Sequence, residues 1–350
     1  MSEDVWSEQD TTPDAIEAAL RRLLRERHAA DRSLAPARVL NLVVVADKAW
    51  KGEIANRLAR VGRYQASRTI LCSVEEKRRT LDAVAVMSYH ESPGGALSVV
   101  HEKVEIDIGP EHISRLDTIV DPVVVSSLST MLWVPHGHDE AIDALLHMTD
   151  VILLDSDDEE EVGAGLARAA ELQESAYVVD LAWLRTTPWR ERLAASFDPP
   201  DRRSALGDVR EVSVRHQPRS AASASLIAGW IASRLGWKPH RLAGSAGGTR
   251  RGTLTRNGHK VALELEPQEQ SAPGLAGVTV GWGKRCALSL DRASGGLCAR
   301  EQCADGSDKT WQVLGASRGE GGILGEGVRQ ALLRDGTYAP ALSAARCLCP

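Results

Sequence analysis

Residues 39–74 decide the fold, and they open with the apolar run VLNLVVVAD over residues 39–47. A run of this length that is rich in β-branched residues is typical of a buried strand. Residues 48–63 then carry apolar side chains at helical spacing, and residues 67–74 form a second strand candidate. A strand, a helix and a strand in this order predict a parallel βαβ unit, and therefore an α/β fold.

More strand candidates follow this unit along the chain. Residues 81–89 and 97–108 flank a Ser-Pro-Gly-Gly turn at 92–95, so they predict an antiparallel pair. Shorter apolar runs alternate with helical patterns after it, with strands at 123–125, 131–134 and 151–154 and helices at 141–147 and 162–172. Together these segments predict a mixed sheet with helices between its strands.

The length of the chain is enough for two domains, because it has 350 residues and a domain typically has about 100–200. We predict a polar N-terminal segment and a helix over residues 1–35, followed by a mixed-sheet α/β domain over residues 36–175. Short strand patterns in the second half predict a smaller α+β domain with a mostly antiparallel sheet over residues 176–350.

Composition excludes several classes of protein. Hydrophobic residues make up 43% of the chain and charged residues 26%, with a net charge of −6, which is typical of a globular protein without a general attraction to nucleic acid or anionic lipid. The N-terminus lacks the basic and apolar regions of a secretory signal, and no apolar run approaches the ~20 residues of a membrane-spanning helix. Six cysteines are ordinary usage for a reducing compartment. We therefore expect a cytoplasmic protein.

Residues 180–198, DLAWLRTTPWRERLAASFD, are the best-specified segment of the second half. They contain two of the nine tryptophans and the only phenylalanine. Thr187 is predicted to cap a helix whose first turn contains Pro188. The segment has no histidine or cysteine, and no nucleophile beside a base. Its composition therefore indicates packing and docking rather than catalysis.

A helix predicted over residues 221–235 carries a cation on its apolar face. Trp230 and Ile231 belong to this face, and Arg234 falls among its members when each residue is advanced by about 100°. A guanidinium in such a place must be paired or must reach solvent. Arg234 therefore predicts either an ion pair within the chain or a contact with a partner or an anion at the helix end.

Candidate metal ligands occur in three places, but none has the spacing of a known metal site. The acidic run at residues 155–161 precedes a predicted helix, and carboxylates are favourable at a helix N-terminus. His136 and His138 lack a third ligand, and the cysteines lack Cys-x-x-Cys spacing. We therefore predict no metal, while Cys347 and Cys349 leave open a redox-sensitive thiol pair.

Motifs for catalysis and for phosphate binding are incomplete. Residues 315–319 match the G-x-S-x-G pattern of a nucleophile elbow, but a glycine-rich stretch replaces the helix that should follow, and no histidine occurs after residue 259. The loop at residues 244–251, with three glycines and two arginines, is either a mobile loop or a cradle for an anion. The sequence therefore predicts no catalytic residue and no cofactor.

Several blocks of this sequence resemble, in the same order, the bacterial glucose-6-phosphate dehydrogenase assembly proteins known as OpcA. The similar blocks are Ala37–Ala46, Ser67–Leu71, Asp150–Ser156, Asp180–Asp198, Ala228–Trp237 with Arg234 included, Arg334-Asp335 and Tyr338. The second half contributes the Asp-Leu-x-Trp…Pro-Trp-Arg…Phe-Asp pattern, which matches closely. The order and spacing of the blocks make the joint match specific.

The resemblance implies a protein that is not an enzyme and needs no cofactor. Such proteins bind glucose-6-phosphate dehydrogenase and favour its active oligomer, which feeds the oxidative pentose phosphate pathway and the supply of NADPH. A protein that binds the active form more tightly shifts the enzyme's population towards that form. The expected partner is therefore this dehydrogenase, without nucleic acid or membrane.

Tryptophan and arginine are the residues most enriched at binding hot spots. The expected partner-binding residues are Trp183, Trp189, Arg190, Trp230 and Arg234. In an alternative interpretation the same tryptophans belong to the core.

A second function from another class also stays open, namely an α/β enzyme or sensor that binds a sugar phosphate or nucleotide at the strand ends of the first domain.

Overall fold

The structure, a computed structural model, describes residues 2–30, 38–61, 67–90, 99–135, 137–314 and 319–349. Their contacts divide the chain into two compact units. The first unit comprises residues 1–154, 175–179 and 324–333, and the second comprises residues 155–174, 180–323 and 334–350. The two units are similar in size. They differ from the predicted domains in three segments, since residues 155–174 join the second unit, whereas residues 176–179 and 324–333 join the first.

The first half of the chain alternates strands and helices. Its strands are β1 (Ser2–Glu8), β2 (Leu40–Asp47), β3 (Ser67–Val74), β4 (Asp82–His90), β5 (Val99–Ile108), β6 (Thr130–Trp133), β7 (Val151–Leu154) and β8 (Tyr177–Asp180). Its helices are α1 (Pro13–Ala30), α2 (Lys51–Val61), α3 (Asp117–Val120) and α4 (Asp139–Leu145). A further helix, α5 (Val162–Leu172), belongs to the second unit.

One mixed sheet of eight strands forms the centre of the first unit, in the order β1-β4-β5-β3-β2-β6-β7-β8. Strands β5, β3, β2, β6 and β7 pair in parallel, whereas β4 and β1 add an antiparallel edge. Seven of the eight residues of β2 are buried, as expected for a central strand that is covered on both faces. The predicted mixed sheet and α/β class are confirmed.

Two predictions about the first half are wrong. Residues 2–8 form β1, which pairs with β4 along its whole length, where the sequence predicted a polar segment. The partner strand lies about 80 positions away, so no local pattern could reveal the pairing. Residues 123–125 form no strand but a turn after α3, because a short apolar run does not distinguish a strand from a buried turn.

The second half begins with helices and continues as a sheet. Its helices are α6 (Leu181–Arg185), α7 (Thr187–Ser196), α8 (Pro200–Ala205), α9 (Ala221–Leu235), α10 (Gly319–Gln330) and α11 (Tyr338–Arg346). Its strands are β9 (Val209–His216), β10 (Lys238–Pro239), β11 (Ala243–Gly244), β12 (Arg250–Arg256), β13 (His259–Pro267), β14 (Leu275–Trp282), β15 (Cys286–Ala293), β16 (Gly296–Cys303) and β17 (Asp308–Leu314).

The second sheet has the order β10-β12-β13-β9-β14-β15-β16-β17, and β11 also pairs with β12. All its pairs are antiparallel except β13 with β9, as the sequence predicted. Helix α9 packs on this sheet, and α11 packs on α9. Gly229 permits the close approach of the two helices, because a Cβ atom at this position would overlap the carbonyl oxygen of Ala341.

A disulfide joins Cys286 and Cys303, which face each other on β15 and β16. Ordinary cysteine usage did not predict this pair, because their proximity depends on the register of the two strands. Cys298, Cys347 and Cys349 are free thiols. Within the described residues, no helix has both the length and the apolar character needed to cross a membrane.

Candidate partner-binding site

A buried ion pair anchors the segment around residues 180–190. Arg185 at the end of α6 donates from both terminal nitrogens to Asp155, at 2.7 and 2.6 Å. Its guanidinium also lies 3.6 Å from a carboxylate oxygen of Asp157, and all three side chains are less than one-tenth exposed. Paired parallel bonds of this kind between arginine and carboxylate are strong and geometrically specific. Arg185 thus joins α6 to the chain before α5.

Asp157 caps the N-terminus of α9, a role that the sequence did not predict. Its carboxylate accepts a hydrogen bond from the backbone N–H of Ser223, at 3.0 Å, and another from the Ser223 hydroxyl. Because Ser223 lies in the first turn of α9, Asp157 caps this helix from a distant part of the chain. Burial and the negative charge of Asp155 raise the pKa of Asp157, against the opposing effects of Ser223 and Arg185.

Asp180 is a second buried carboxylate and holds the start of α6. It accepts from the N–H of Ala182 at 2.9 Å, from the hydroxyl of Ser156 at 2.7 Å and from the hydroxyl of Tyr338 at 2.9 Å. Burial, followed by the charge of Asp155, raises the pKa of Asp180 to about 6. Asp180 therefore links three segments of the second unit through one fully buried group.

Trp183 and Arg190, two of the predicted partner-binding residues, lie together. The guanidinium carbon of Arg190 lies 3.4 Å from the centre of the Trp183 ring, within the range of a cation–π contact. Asp335 accepts from the Trp183 indole N–H at 2.9 Å and pairs with Arg190 at 3.4 Å. Burial lowers the pKa of Arg190 to about 10. Because both side chains are at least 90% buried, they stabilise the fold and offer little direct contact area.

Trp189 points to the core of the second unit. It is 1% exposed and belongs to the same apolar cluster as Leu193, Phe197 and residues of β9, α9 and β14. Its burial agrees with the core interpretation of this tryptophan. The predicted cap at Thr187 is wrong, because α7 begins at that residue and Thr186 occupies the preceding position without a side-chain cap. The Thr186 hydroxyl instead donates to the carbonyl of Trp183.

Trp230 and Arg234 on α9 are the more accessible members of the predicted set. Trp230 is half-buried against the core cluster, whereas Arg234 is exposed. Within the described part of the chain, Arg234 forms no ion pair and neither residue makes a hydrogen-bonded or ring contact to Trp183 or Arg190. The structure thus brings Trp183 and Arg190 together but leaves Trp230 and Arg234 outside their contact. The period of apolar residues placed Arg234 on the apolar face of α9, but its side chain is exposed because the last turn of the helix reaches solvent.

The other sequence candidates supply no reactive group. Over the described residues, no three His, Cys, Asp or Glu side chains are grouped to hold a metal ion. His138 contacts Asp47 at 3.1 Å, whereas His136, Ser317 and the turn at residues 92–95 lie outside the described residues. Cys347 and Cys349 are both free thiols, one exposed and one buried.

A polar cluster at the carboxyl ends of β2, β3 and β5 is where a nucleotide-binding α/β protein would place its ligand. Here Asp107 accepts from Lys51 at 2.6 Å, and also from Lys48 and Ser73. Burial opposes ionisation of Asp107, but the bonds from Lys48, Lys51 and Ser73 outweigh it and lower the pKa to about 2. Both lysines are thus engaged by carboxylates of the chain, and the turn between β2 and α2 contains no glycine before residue 52.

These features define a two-unit α/β protein in which a buried aspartate and arginine network ties segments of the second unit together. Sequence comparison identifies its family. Residues 58–171 match the model of the glucose-6-phosphate dehydrogenase subunit N-terminal domain, OpcA_G6PD_assem, and residues 176–339 match that of the C-terminal domain, OpcA_G6PD_C. The chain belongs to the OpcA family, as the sequence predicted.

Two relatives, both named OxPP cycle protein OpcA, show how far the similarity extends. The protein of Synechocystis sp. is 31% identical over 131 residues, which cover 36% of this chain and 28% of the relative. The protein of Synechococcus elongatus is 28% identical over 213 residues, which cover 59% of this chain and 48% of the relative. The match thus spans less than half the length of each of these relatives.

Solved structures show only distant likeness. An oxidoreductase from Sinorhizobium meliloti has a TM-score of 0.49 at 12% identity, with 89% of this chain and 96% of that chain covered. The transcriptional regulator Gal80p of a Kluyveromyces yeast has a TM-score of 0.47 at 9% identity, with 89% and 88% covered.

The network brings together side chains from separate sequence blocks that resemble the family. The blocks at residues 150–156, 180–198 and 334–338 supply Asp155, Ser156, Asp180, Arg185, Asp335 and Tyr338, which meet in one part of the second unit. Sequence reasoning named the blocks but missed their contacts. One sequence pattern could have indicated these contacts: Asp155 and Asp180 each follow an apolar run that is typical of a buried strand.

Proposed function

We propose that this protein is a non-catalytic assembly factor and allosteric activator of glucose-6-phosphate dehydrogenase in the cytoplasm. One observation carries the proposal: both halves of the chain match domains that are described as parts of a glucose-6-phosphate dehydrogenase subunit. Membership of the OpcA family also supports a role in the oxidative pentose phosphate pathway. A more active dehydrogenase would raise the supply of NADPH.

The buried network supports a binding role over a catalytic one. The carboxylates of Asp157, Asp180 and Asp335 are each engaged by hydrogen-bond donors of the chain itself. Groups that are saturated in this way hold a surface in shape and are poor acids or bases for a substrate. Activation then follows from linkage, because a factor that binds the active oligomer more tightly than its subunits stabilises that oligomer.

The five predicted partner-binding residues have two different roles in this proposal. Arg234 is exposed and unpaired within the described residues, so it contacts the dehydrogenase directly, with the accessible part of Trp230 beside it on α9. Trp183, Trp189 and Arg190 are buried, so they act by holding the binding surface in shape. Removing one charged hydrogen bond of an arginine at such an interface weakens binding by about tenfold.

The test combines the purified chain with the dehydrogenase of its own organism. Activity is measured against dehydrogenase concentration, with and without the chain, while light scattering reports the oligomer. We expect the chain to lower the concentration at which the active oligomer forms. The variant Arg234→Gln should need about tenfold more protein for the same effect, and Arg241→Gln, which replaces another exposed arginine of this unit, serves as the control.

Two outcomes separate the parts of this proposal. If the dehydrogenase's rate, KM and oligomeric state ignore the unmodified chain, the activator function is wrong. If the chain activates but Arg234→Gln does so equally well, the function stands and the contact at the end of α9 is wrong.

A further inference from the structure

The second unit contains a cavity of about 450 Å³ that the proposed dehydrogenase contact does not use. Residues from four places in the sequence line it: His216, Ala221, Gly247, Gly248, Arg250 and Glu269. The volume lies within the ~300–1,000 Å³ of small-molecule sites, near the lower end. A cavity of this size holds a metabolite as large as a pentose or hexose derivative but not a dinucleotide.

His216 lines this cavity and keeps one ring nitrogen without a partner among the described residues. The residue is only 3% exposed, and its Nδ1 donates to the carbonyl oxygen of Gln217 at 2.8 Å. Because Nδ1 carries the proton, Nε2 has a lone pair, and it has no partner among the described residues. Burial, with a smaller effect of Arg250, lowers the pKa of His216. The neutral ring can therefore accept a hydrogen bond from a ligand hydroxyl.

Arg250 provides a positive charge that no carboxylate of the described residues neutralises. One of its terminal nitrogens donates to the carbonyl oxygen of Leu348 at 3.0 Å. A guanidinium has five N–H groups, so several remain for a ligand. The next residue behaves differently, because Arg251 is more than half exposed and pairs with Glu264 at 2.5 Å. The two arginines lie on opposite faces of β12.

The backbone around the cavity adds further donors. Gly247 and Gly248 have φ values of +80° and +78°, but the N–H of Gly248 already donates to the carbonyl oxygen of Ser245 at 3.2 Å, so only the N–H of Gly247 remains as a donor of this turn among the described residues. Ala221 begins α9, and its N–H has no partner within the described residues. Such a group at a helix N-terminus attracts negative charge, although Asp157 already accepts from Ser223 in the same turn. These donors favour one anionic group close to Arg250.

Glu269 limits the kind of anion that can bind. Its side chain is exposed at the edge of the cavity, so it repels a second negative charge but accepts hydrogen bonds from hydroxyl groups. His216 Nε2 and Glu269 are thus two acceptors, while Arg250 and the N–H of Gly247 are donors. The ligand that satisfies both sets has one anionic end and several hydroxyls.

From this arrangement we propose that the cavity binds a small polyhydroxylated anion of pentose or hexose size, either a sugar phosphate or a sugar acid. The anionic group contacts Arg250 and the N–H of Gly247. The hydroxyls donate to His216 and Glu269. The lining residues do not include Trp230 or Arg234, so this proposal does not depend on the proposed dehydrogenase contact.

Calorimetric titration of the full chain alone tests the proposal with four probes: arabinose 5-phosphate, gluconate, inorganic phosphate and arabinose. At least one of the first two should bind about tenfold or more tightly than inorganic phosphate, and arabinose should bind least. The comparison of arabinose 5-phosphate with gluconate identifies the anionic group. Equal and weak binding of all four probes overturns the proposal.

Three variants locate the site. Arg250→Gln should weaken binding of the best probe by at least about tenfold, while Arg251→Gln, the matched neighbour on the other face of β12, should leave it unchanged. Glu269→Gln tests the cavity without disturbing any buried residue, and should strengthen binding of inorganic phosphate severalfold by removing repulsion. If phosphate binding ignores Glu269→Gln and the best probe binds Arg250→Gln as tightly as the unmodified chain, the ligand does not occupy this cavity.

Discussion

Replacing Asp180 by asparagine removes a buried charge while keeping the size of the side chain. Asparagine can still accept from the N–H of Ala182, since that bond needs only one oxygen. Its amide group can donate to the hydroxyls of Ser156 and Tyr338, which rotate to accept. The variant Asp180→Asn therefore keeps the links between the three segments and eliminates only the ionisation.

The expected magnitude follows from the pKa of Asp180, which burial and the charge of Asp155 raise from 3.8 to about 6. The folded chain thus binds this proton more tightly than the unfolded chain. The resulting stabilisation is fully present below about pH 4 and is lost as the pH rises through about 6. At 1.36 kcal/mol per pKa unit, the loss amounts to roughly 3 kcal/mol. The asparagine side chain does not ionise, so the variant should gain stability relative to the unmodified chain as the pH rises.

This difference is measured by urea unfolding, monitored by tryptophan fluorescence, at several pH values between about 4.5 and 7.5. The free energy of unfolding of Asp180→Asn, relative to the unmodified chain, should rise over this interval by about 2 kcal/mol, because the rest of the change falls below pH 4.5. Asp198→Asn, which changes an exposed aspartate at the end of the same segment, is the control and should run parallel to the unmodified chain. If Asp180→Asn also runs parallel, Asp180 does not bind a proton near pH 6 and the electrostatic reasoning is wrong.

Two further substitutions test the packing and the charges of the second unit. Trp189→Ala should lower the free energy of unfolding by about 3–5 kcal/mol, because it empties a fully buried position. The control Trp50→Ala, at a site that is 43% exposed, should lower it much less. Equal effects of the two substitutions in urea unfolding would contradict the assignment of Trp189 to the core. Arg185→Gln leaves Asp155 and Asp157 without their cation, so a loss of about 3–5 kcal/mol is expected near neutral pH. The loss should be smaller in acid, where Asp157, whose pKa is raised by burial and by the charge of Asp155, becomes protonated. A loss below about 1 kcal/mol, the range of an exposed ion pair, would show that the network does not depend on Arg185.

Local pattern was sufficient wherever one segment carried its own signal. The apolar run before Asp47 became β2, and helix α9 ended at Gly236, whose φ of +65° suits a glycine after the last turn. The antiparallel second sheet was also predictable from its short strands and turns. Strand β1 was not, because its polar sequence becomes a strand only through pairing with β4.

Candidate site residues were predicted in type but not in role. Trp183, Trp189 and Arg190 stood out by composition, since tryptophan and arginine occur both in cores and at interfaces. Their burial depends on Asp335 and on the strands of the second sheet, which lie far along the chain. Arg234 was placed on the apolar face by its period, but the exposure of that turn depends on what packs against α9.

The sequence by itself determined the α/β class, the order of most strands and helices, and the family, because these depend on the period of apolar residues and on short blocks of neighbouring residues. Only the tertiary structure decided that Asp155, Asp157, Asp180 and Asp335 serve to hold distant segments, that Cys286 pairs with Cys303, and that His216, Gly247 and Arg250 surround one cavity. The reason is physical: the charge, burial and bonding of a side chain are set by neighbours in space, and spacing along the chain does not record which neighbours those are.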